Sequence, residues 1–170
     1  MTANKRLEPR RIGVCGSSRD LPAGAEEFCA AAGAALAKAD NVVIVSAGTR
    51  RRRDEREDNL ATDWYVVSAA KRAMTRPEEV DERIETVMGD GPSGSERFGI
   101  GASPRARGKT PEARRFSFVR RLDALFAVAG NNGTAQELAL AAELGIPVLL
   151  VLCFGGSAVE FFNAYESDLV

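Results

Sequence analysis

The stretch "AVAGNNGTAQEL" (127–138) runs an apolar segment into Gly130, Asn131, Asn132, Gly133 and Thr134 before helix formers resume. Glycines here permit positive φ and close approach of a ligand, and asparagine is the next most tolerant residue type. If a helix starts at this point, the amides of Gly133, Thr134 and Ala135 face outward from its N-terminus and attract anions, phosphate above all. A plainer reading is also open. Thr134 and Glu137 have the T-x-x-E spacing of a capping box, which serves merely to start the helix. A second small-polar group, "CGSSR" (15–19), offers Gly16, Ser17, Ser18 and Arg19 after another apolar run. Its serines can meet an anion or simply satisfy turn amides.

Other chemistries lack their parts. The chain has no histidine, and its three cysteines, Cys15, Cys29 and Cys153, are widely spaced with no Cys-x-x-Cys. A zinc site or a Ser-His-Asp triad therefore has no components, no metal is expected, and the cysteines read as small buried hydrophobes. Lys5, Lys38, Lys71 and Lys109 stand in no pyridoxal motif, so no cofactor is expected. A formal net charge of −1 speaks against wrapping nucleic acid. The longest apolar run, "IPVLLVLCF" (146–154), falls short of the roughly 20 residues of a membrane span. The charged start "MTANKRLEPRR" has no apolar signal core, and a cytoplasmic protein is expected.

The elements that must position the two loops alternate. Strand patterns at 11–18, 41–49, 83–88, 124–130 and 146–152 are separated by helical patterns at 22–39, 62–74, 110–122 and 134–145. Thr110 with Pro111 opens the third helix, and Gly145 closes the fourth. Short, continuous apolar strands between helices predict an α/β fold: one Rossmann-like, doubly wound parallel sheet with helices on both faces, in a single domain over 1–170. In such a sheet the first and fourth strands are neighbours at the topological switch point, so both small-polar loops face one crevice. Two stretches break the alternation and are expected to be flexible loops, the charge run "TRRRRDEREDN" (49–59) and the Gly/Ser/Pro-rich 89–110. The charge run reads either as solvated surface or as a basic flap over a phosphate site.

The motifs "VCGSSR" and "RRFSFVRRLDALFAVAGNNGTAQE" resemble the SLOG superfamily, which includes the Lonely-guy (LOG) phosphoribohydrolases and nucleotide-sensing domains of bacterial antiphage proteins. Those enzymes carry R-K-x-x-M upstream of P-G-G-x-G-T-x-x-E. Arg114 and Arg115 fall on the Arg-Lys pair, Phe118 on the methionine and Asp123 on an aspartate before the strand; Gly130, Gly133, Thr134 and Glu137 fall on the second motif. Ala129 replaces the motif's proline, Asn131 its second glycine and Arg115 its lysine. "AGTRRRRDERED" stands where the enzymes have a glycine loop after strand two. The chain stops soon after its last strand pattern, as a domain cut from or fused to something larger would.

The resemblance implies that Gly130–Thr134 cradle phosphate, that Arg114 supplies a cation and that Glu137 supplies a carboxylate near the ribose. These residues serve two functions equally. One is a sensor of a nucleotide-derived messenger, ADP-ribose-type or cyclic, in defence or signalling. The other is a hydrolase that releases free base from a nucleoside 5′-monophosphate, with Arg114 and Glu137 catalytic. The altered loop and the extra arginines favour the sensor. The partner in either case is a nucleotide-derived small molecule, neither nucleic acid nor membrane, and the resemblance implies a homodimer.

Overall fold

The computed structural model describes residues 8–54, 56–89 and 95–166. Five strands form the parallel sheet: β1 (Arg10–Gly16), β2 (Val42–Ser46), β4 (Ile84–Thr86), β6 (Ala124–Val128) and β7 (Val148–Val151). Two more, β3 (Thr49–Arg52) and β5 (Ser95–Arg97), pair separately. The helices are α1 (Ala25–Lys38), α2 (Thr62–Ala73), α3 (Pro77–Arg83), α4 (Pro111–Val119), α5 (Asn132–Glu143) and α6 (Ser157–Tyr165). The main sheet runs β4-β2-β1-β6-β7, with every pairing parallel. This is the doubly wound architecture expected. The strands read first and fourth in the sequence, β1 and β6, are adjacent, with Gly16 in register with Val128.

Two apolar layers hold the sheet. Val14, Ile44, Val128 and Phe126 pack with Cys29 of α1 and Val66, Val67 and Ala70 of α2 on one face. Val43, Val45, Leu125 and Ala127 pack with Phe118 and Val119 of α4 and Leu138 and Ala141 of α5 on the other. The central strands β1, β2 and β6 contribute to both layers because successive side chains point to opposite faces.

Local signals at helix ends act as expected in two places. The Thr110 side chain accepts from the Ala113 amide at the start of α4. At the end of α5, Gly145 takes φ +66 and donates to Ala142, while Ile146 donates to Ala141, so two otherwise orphaned carbonyls are satisfied. A long-range device closes α1: the Arg83 guanidinium donates to the carbonyls of Leu36, Ala37 and Ala39, and also to Val42.

Several expectations need correction. The stretches 49–59 and 89–110 contain paired strands: β3 and β5 run antiparallel, with Thr49 opposite Arg97. Isolated bridges join Glu85 to Ala102 and Met88 to Arg105. Residues 55 and 90–94 of these stretches lie outside the described residues. Side-chain contacts tie the pairing down: Phe98, just past β5, is buried against Trp64 at 5.4 Å, while Glu96 binds Arg50 and Arg51 of β3 at 2.5 and 2.8 Å. Strand β7, expected in the core, is the sheet edge and leaves Leu149 63% exposed, since no neighbouring strand flanks it. Cys15 and Cys29 are buried as expected, but Cys153 is exposed in a 3-10 turn (Leu152–Phe154) beyond that edge.

Candidate functional site

At the carboxyl end of the sheet the loops after β1, β2 and β6 enclose a cavity of about 410 Å³. Gly16, Ser17, Ser18 and Arg19 line it from the β1 side, and Asn131, Asn132, Gly133, Thr134 and Glu137 line it from the start of α5. Arg114 and Arg115 enter from α4. Of the residues the sequence singled out for the site, Gly130 alone does not line the cavity.

Gly130 acts through shape instead. Its φ is +104, and an added Cβ would come within 2.6 Å of the Thr134 side chain. Its carbonyl accepts from the Ser157 amide at the start of α6, and the Ala129 carbonyl from Ala158. Ala129 itself has φ +52. Proline is locked near −65°, so this loop follows a path that the proline of the LOG motif cannot take.

The helix start also differs from expectation. Asn131, not Thr134, is the N-cap of α5, and its side chain accepts from the Gly133 amide at 3.4 Å. Thr134 Oγ1 donates instead to the Gly16 carbonyl at 3.0 Å, tying the two loops together. The T-x-x-E spacing is therefore not a capping box here. Gly133 lies within the helix, without the positive φ expected of it. A Cβ at Gly133 would face the Arg115 guanidinium at 3.6 Å, so its smallness leaves space in front of that arginine. Glu137 follows Gly133 by four residues and so shares its face of α5.

The serines divide their work. The Ser17 hydroxyl donates to the Arg19 carbonyl and accepts from the Arg19 amide, which folds the β1 loop on itself. The Ser17 carbonyl accepts from the Thr62 amide, holding the first turn of α2 beneath the loop.

Two charged lining residues were not read from the sequence, Asp63 and Arg97; a third, Arg52, belongs to the charge run 49–59, read there either as solvated surface or as a basic flap over a phosphate site. Asp63 is 6% exposed and accepts from Ser46 Oγ at 2.9 Å and the Thr49 amide at 3.3 Å. A lone acid in the first turn of a helix, just after a charged loop, is the signal that could have marked it. Arg97 donates to the Ala47 carbonyl at 2.5 Å and to Thr49 Oγ1 at 3.0 Å. No local pattern marks it, since it sits in a three-residue strand among glycines.

Among the described residues the cavity wall thus carries five arginines, Arg19, Arg52, Arg97, Arg114 and Arg115, against two carboxyls, Asp63 and Glu137. Burial pushes Glu137 up to about 8, with the nearby Asp63 adding to the shift and Arg115, Arg114 and Arg97 opposing it. Burial also raises Asp63, against its bonds from Ser46 and Thr49. Arg97 is lowered to about 10, first by burial and then by the like charge of Arg114. Arg114 is lowered by burial and by Arg115. At neutral pH the cavity is a positive enclosure in which Glu137 is mostly protonated and can donate a hydrogen bond.

The remaining motif positions are structural. Phe118 is fully buried in the core. Asp123 accepts from the Arg11 amide at 2.7 Å and lies 3.7 Å from Arg10, at the amino end of the sheet. Among the described residues no group of potential ligands could hold a metal ion, and no helix is long and apolar enough to cross a membrane.

Fold and site together define a Rossmann-like α/β protein with an arginine-lined cavity at its switch point. Comparison with family models and with curated proteins gives no match. Solved structures do match. The molybdenum cofactor binding protein from the phototrophic bacterium Rippkaea orientalis is 18% identical, with a TM-score of 0.68 over 94% of this chain and 86% of that one. TM1055 is 20% identical, with a TM-score of 0.66 over 91% and 81%. The molybdenum cofactor carrier protein from Chlamydomonas reinhardtii is 20% identical, with a TM-score of 0.63 over 96% and 88%. The likeness is one of fold, and it supports the Rossmann-like α/β architecture.

Proposed function

We propose that this chain is a SLOG-type domain that binds a phosphate-bearing, nucleotide-derived small molecule and acts as a sensor of an ADP-ribose-type or cyclic nucleotide messenger in bacterial defence or signalling. One observation carries the reading: among the described residues, five arginines and the N-terminus of α5 converge on a cavity with two carboxyls. Guanidiniums match phosphate oxygens bidentately, and a helix N-terminus adds backbone donors. The molybdenum cofactor proteins of the same fold are named for a small-molecule ligand, which supports the class of partner.

A specific observation also favours the hydrolase as second reading: Arg114 and Glu137, the pair the resemblance makes catalytic, line one cavity. Binding is preferred because the path of the loop through Ala129 departs from the enzyme motif, and small displacements of a reacting group cost much rate.

The test is a thermal-shift screen against nucleoside monophosphates, ADP-ribose, cyclic ADP-ribose isomers, cyclic oligonucleotides and the molybdenum cofactor, since a ligand of the folded state raises the melting point. Hits are then incubated with the protein and analysed for free base. A melting shift that disappears in Arg114→Ala, with the ligand recovered intact, is the expected result. Release of base that is lost in Glu137→Gln would establish the hydrolase instead.

A further inference from the structure

Three guanidiniums gather on this cavity from two successive elements of the chain. Arg114 and Arg115 come from α4, and Arg97 from β5 on the separate two-stranded sheet. Arg115 belongs to the α5 end, facing Gly133. Arg97 enters from the β2 side, held by the Ala47 carbonyl and Thr49 Oγ1 in the loop that follows that strand. Because β1 lies between β2 and β6 in the sheet, the two guanidiniums approach from opposite sides of the β1 loop.

We propose that Arg97 is a specificity-determining residue that gives the cavity a second phosphate contact, so that it selects nucleoside diphosphates over monophosphates. The inference rests on the reading of the cavity as a nucleotide site and goes beyond it, since the loop motifs supply a cradle for one phosphate only. The arginine run 50–53 was the sequence's candidate for extra phosphate contacts, but the structure uses it otherwise. Arg50 and Arg51 bind Glu96, Arg50 lies 5.1 Å from the Trp64 ring centre, and only Arg52 lines the cavity. The run builds the small sheet, and the small sheet delivers Arg97.

Electrostatics agrees with the geometry. Arg114 and Arg115 both lower the Arg97 guanidinium, so the three like charges feel one another, and Asp63 and Glu137 offset them only in part. Such a cluster is relieved by an anion carrying more than one charge. Each charge-assisted contact to a phosphate is strong enough to change affinity about tenfold or more.

Isothermal titration of the full chain with AMP and ADP as probes tests the proposal. The unsubstituted protein should bind ADP about tenfold more tightly than AMP, and Arg97→Met should abolish that preference while leaving AMP affinity within about twofold. Arg97→Lys, which keeps the charge without the fork, should retain part of the preference. Equal affinities for AMP and ADP in the unsubstituted protein would overturn the inference. So would a loss of both ligands alike in Arg97→Met. Absence of heat with either nucleotide in the unsubstituted protein would overturn the inference as well, while the reading of the cavity as a nucleotide site stands or falls with the wider thermal-shift screen.

Discussion

Thr134 Oγ1 donates a 3.0 Å hydrogen bond to the carbonyl of Gly16, across 118 positions of sequence. Thr134 is 2% exposed, so the bond fastens the start of α5 to the end of β1 from inside the protein. The residue read as a helix cap is instead the clasp between the two ligand-facing loops. Thr134→Val keeps the shape, removes the donor and leaves the Gly16 carbonyl without it. The expected cost is about 1–2 kcal/mol in urea unfolding, together with weaker binding of whichever nucleotide shifts the melting point. A variant as stable as its parent would show that the clasp carries no net energy.

Glu137 makes stability and binding depend on pH. Its folded value of about 8 lies above the ordinary 4.5 because of burial and the nearby Asp63. The folded state therefore holds a proton that the unfolded chain releases. The stabilising contribution is fully present below about 4.5 and is lost as pH rises to about 8. Glu137→Gln should flatten the melting temperature between those limits and raise it at pH 8. An anion bound beside this group favours its protonated form, so affinity should fall as pH rises through 8. Titration at pH 6, 7 and 9 reads this directly.

Gly130 and Gly133 should respond oppositely to substitution. Gly130→Ala places a Cβ within 2.6 Å of Thr134 at φ +104, and the expected loss of stability is about 2 kcal/mol. Gly133→Ala meets only ordinary contacts and should leave stability within about 0.5 kcal/mol. Gly133→Val should fold but bind ligand poorly, because its branches fill the space before Arg115. Paired unfolding and binding curves for the three variants separate the glycine that shapes the loop from the one that clears the cavity.

Arg83 offers a test remote from the cavity. Its guanidinium satisfies the carbonyls of Leu36, Ala37, Ala39 and Val42, at the negative end of α1. Arg83→Met should cost about 2–3 kcal/mol in urea unfolding while leaving nucleotide affinity unchanged at temperatures where the variant is folded.

The sheet was legible because its signals are local and repeated. Apolar strand patterns such as "NVVIVS" and "ALFAV", with Pro111 and Gly145 bounding two of the intervening helices, leave little freedom of topology once parallel crossovers are required. The loops at residues 15–19 and 131–137 could be placed at one crevice for the same reason. Asp63 and Arg97 could not. Asp63 is a single acid in the first turn of α2, and Arg97 reaches the cavity only because β3 meets β5, a pairing of four- and three-residue strands whose partners are separated by more than 40 positions. Short strands carry weak periodicity, and the glycines around 95–97 pointed to a loop. The role of Thr134 was hidden differently. Its spacing to Glu137 satisfied a local rule, and only the neighbouring strand showed that a distant acceptor had captured its hydroxyl.

The adjacency of β1 and β6 also sets a clock. Strands β1, β2 and β4 with their helices occupy residues 10–86 and can associate through crossovers of ordinary length. The half that supplies α5 comes later in the chain, and Cys15 must find Ala127 before the two ligand loops meet. Closing so long a loop is entropically unfavourable until the docked strand is rewarded by burial, and parallel pairings of this range are slow. Competence to capture a ligand should accordingly emerge as the final event of refolding, lagging behind the recovery of helical signal in a stopped-flow experiment.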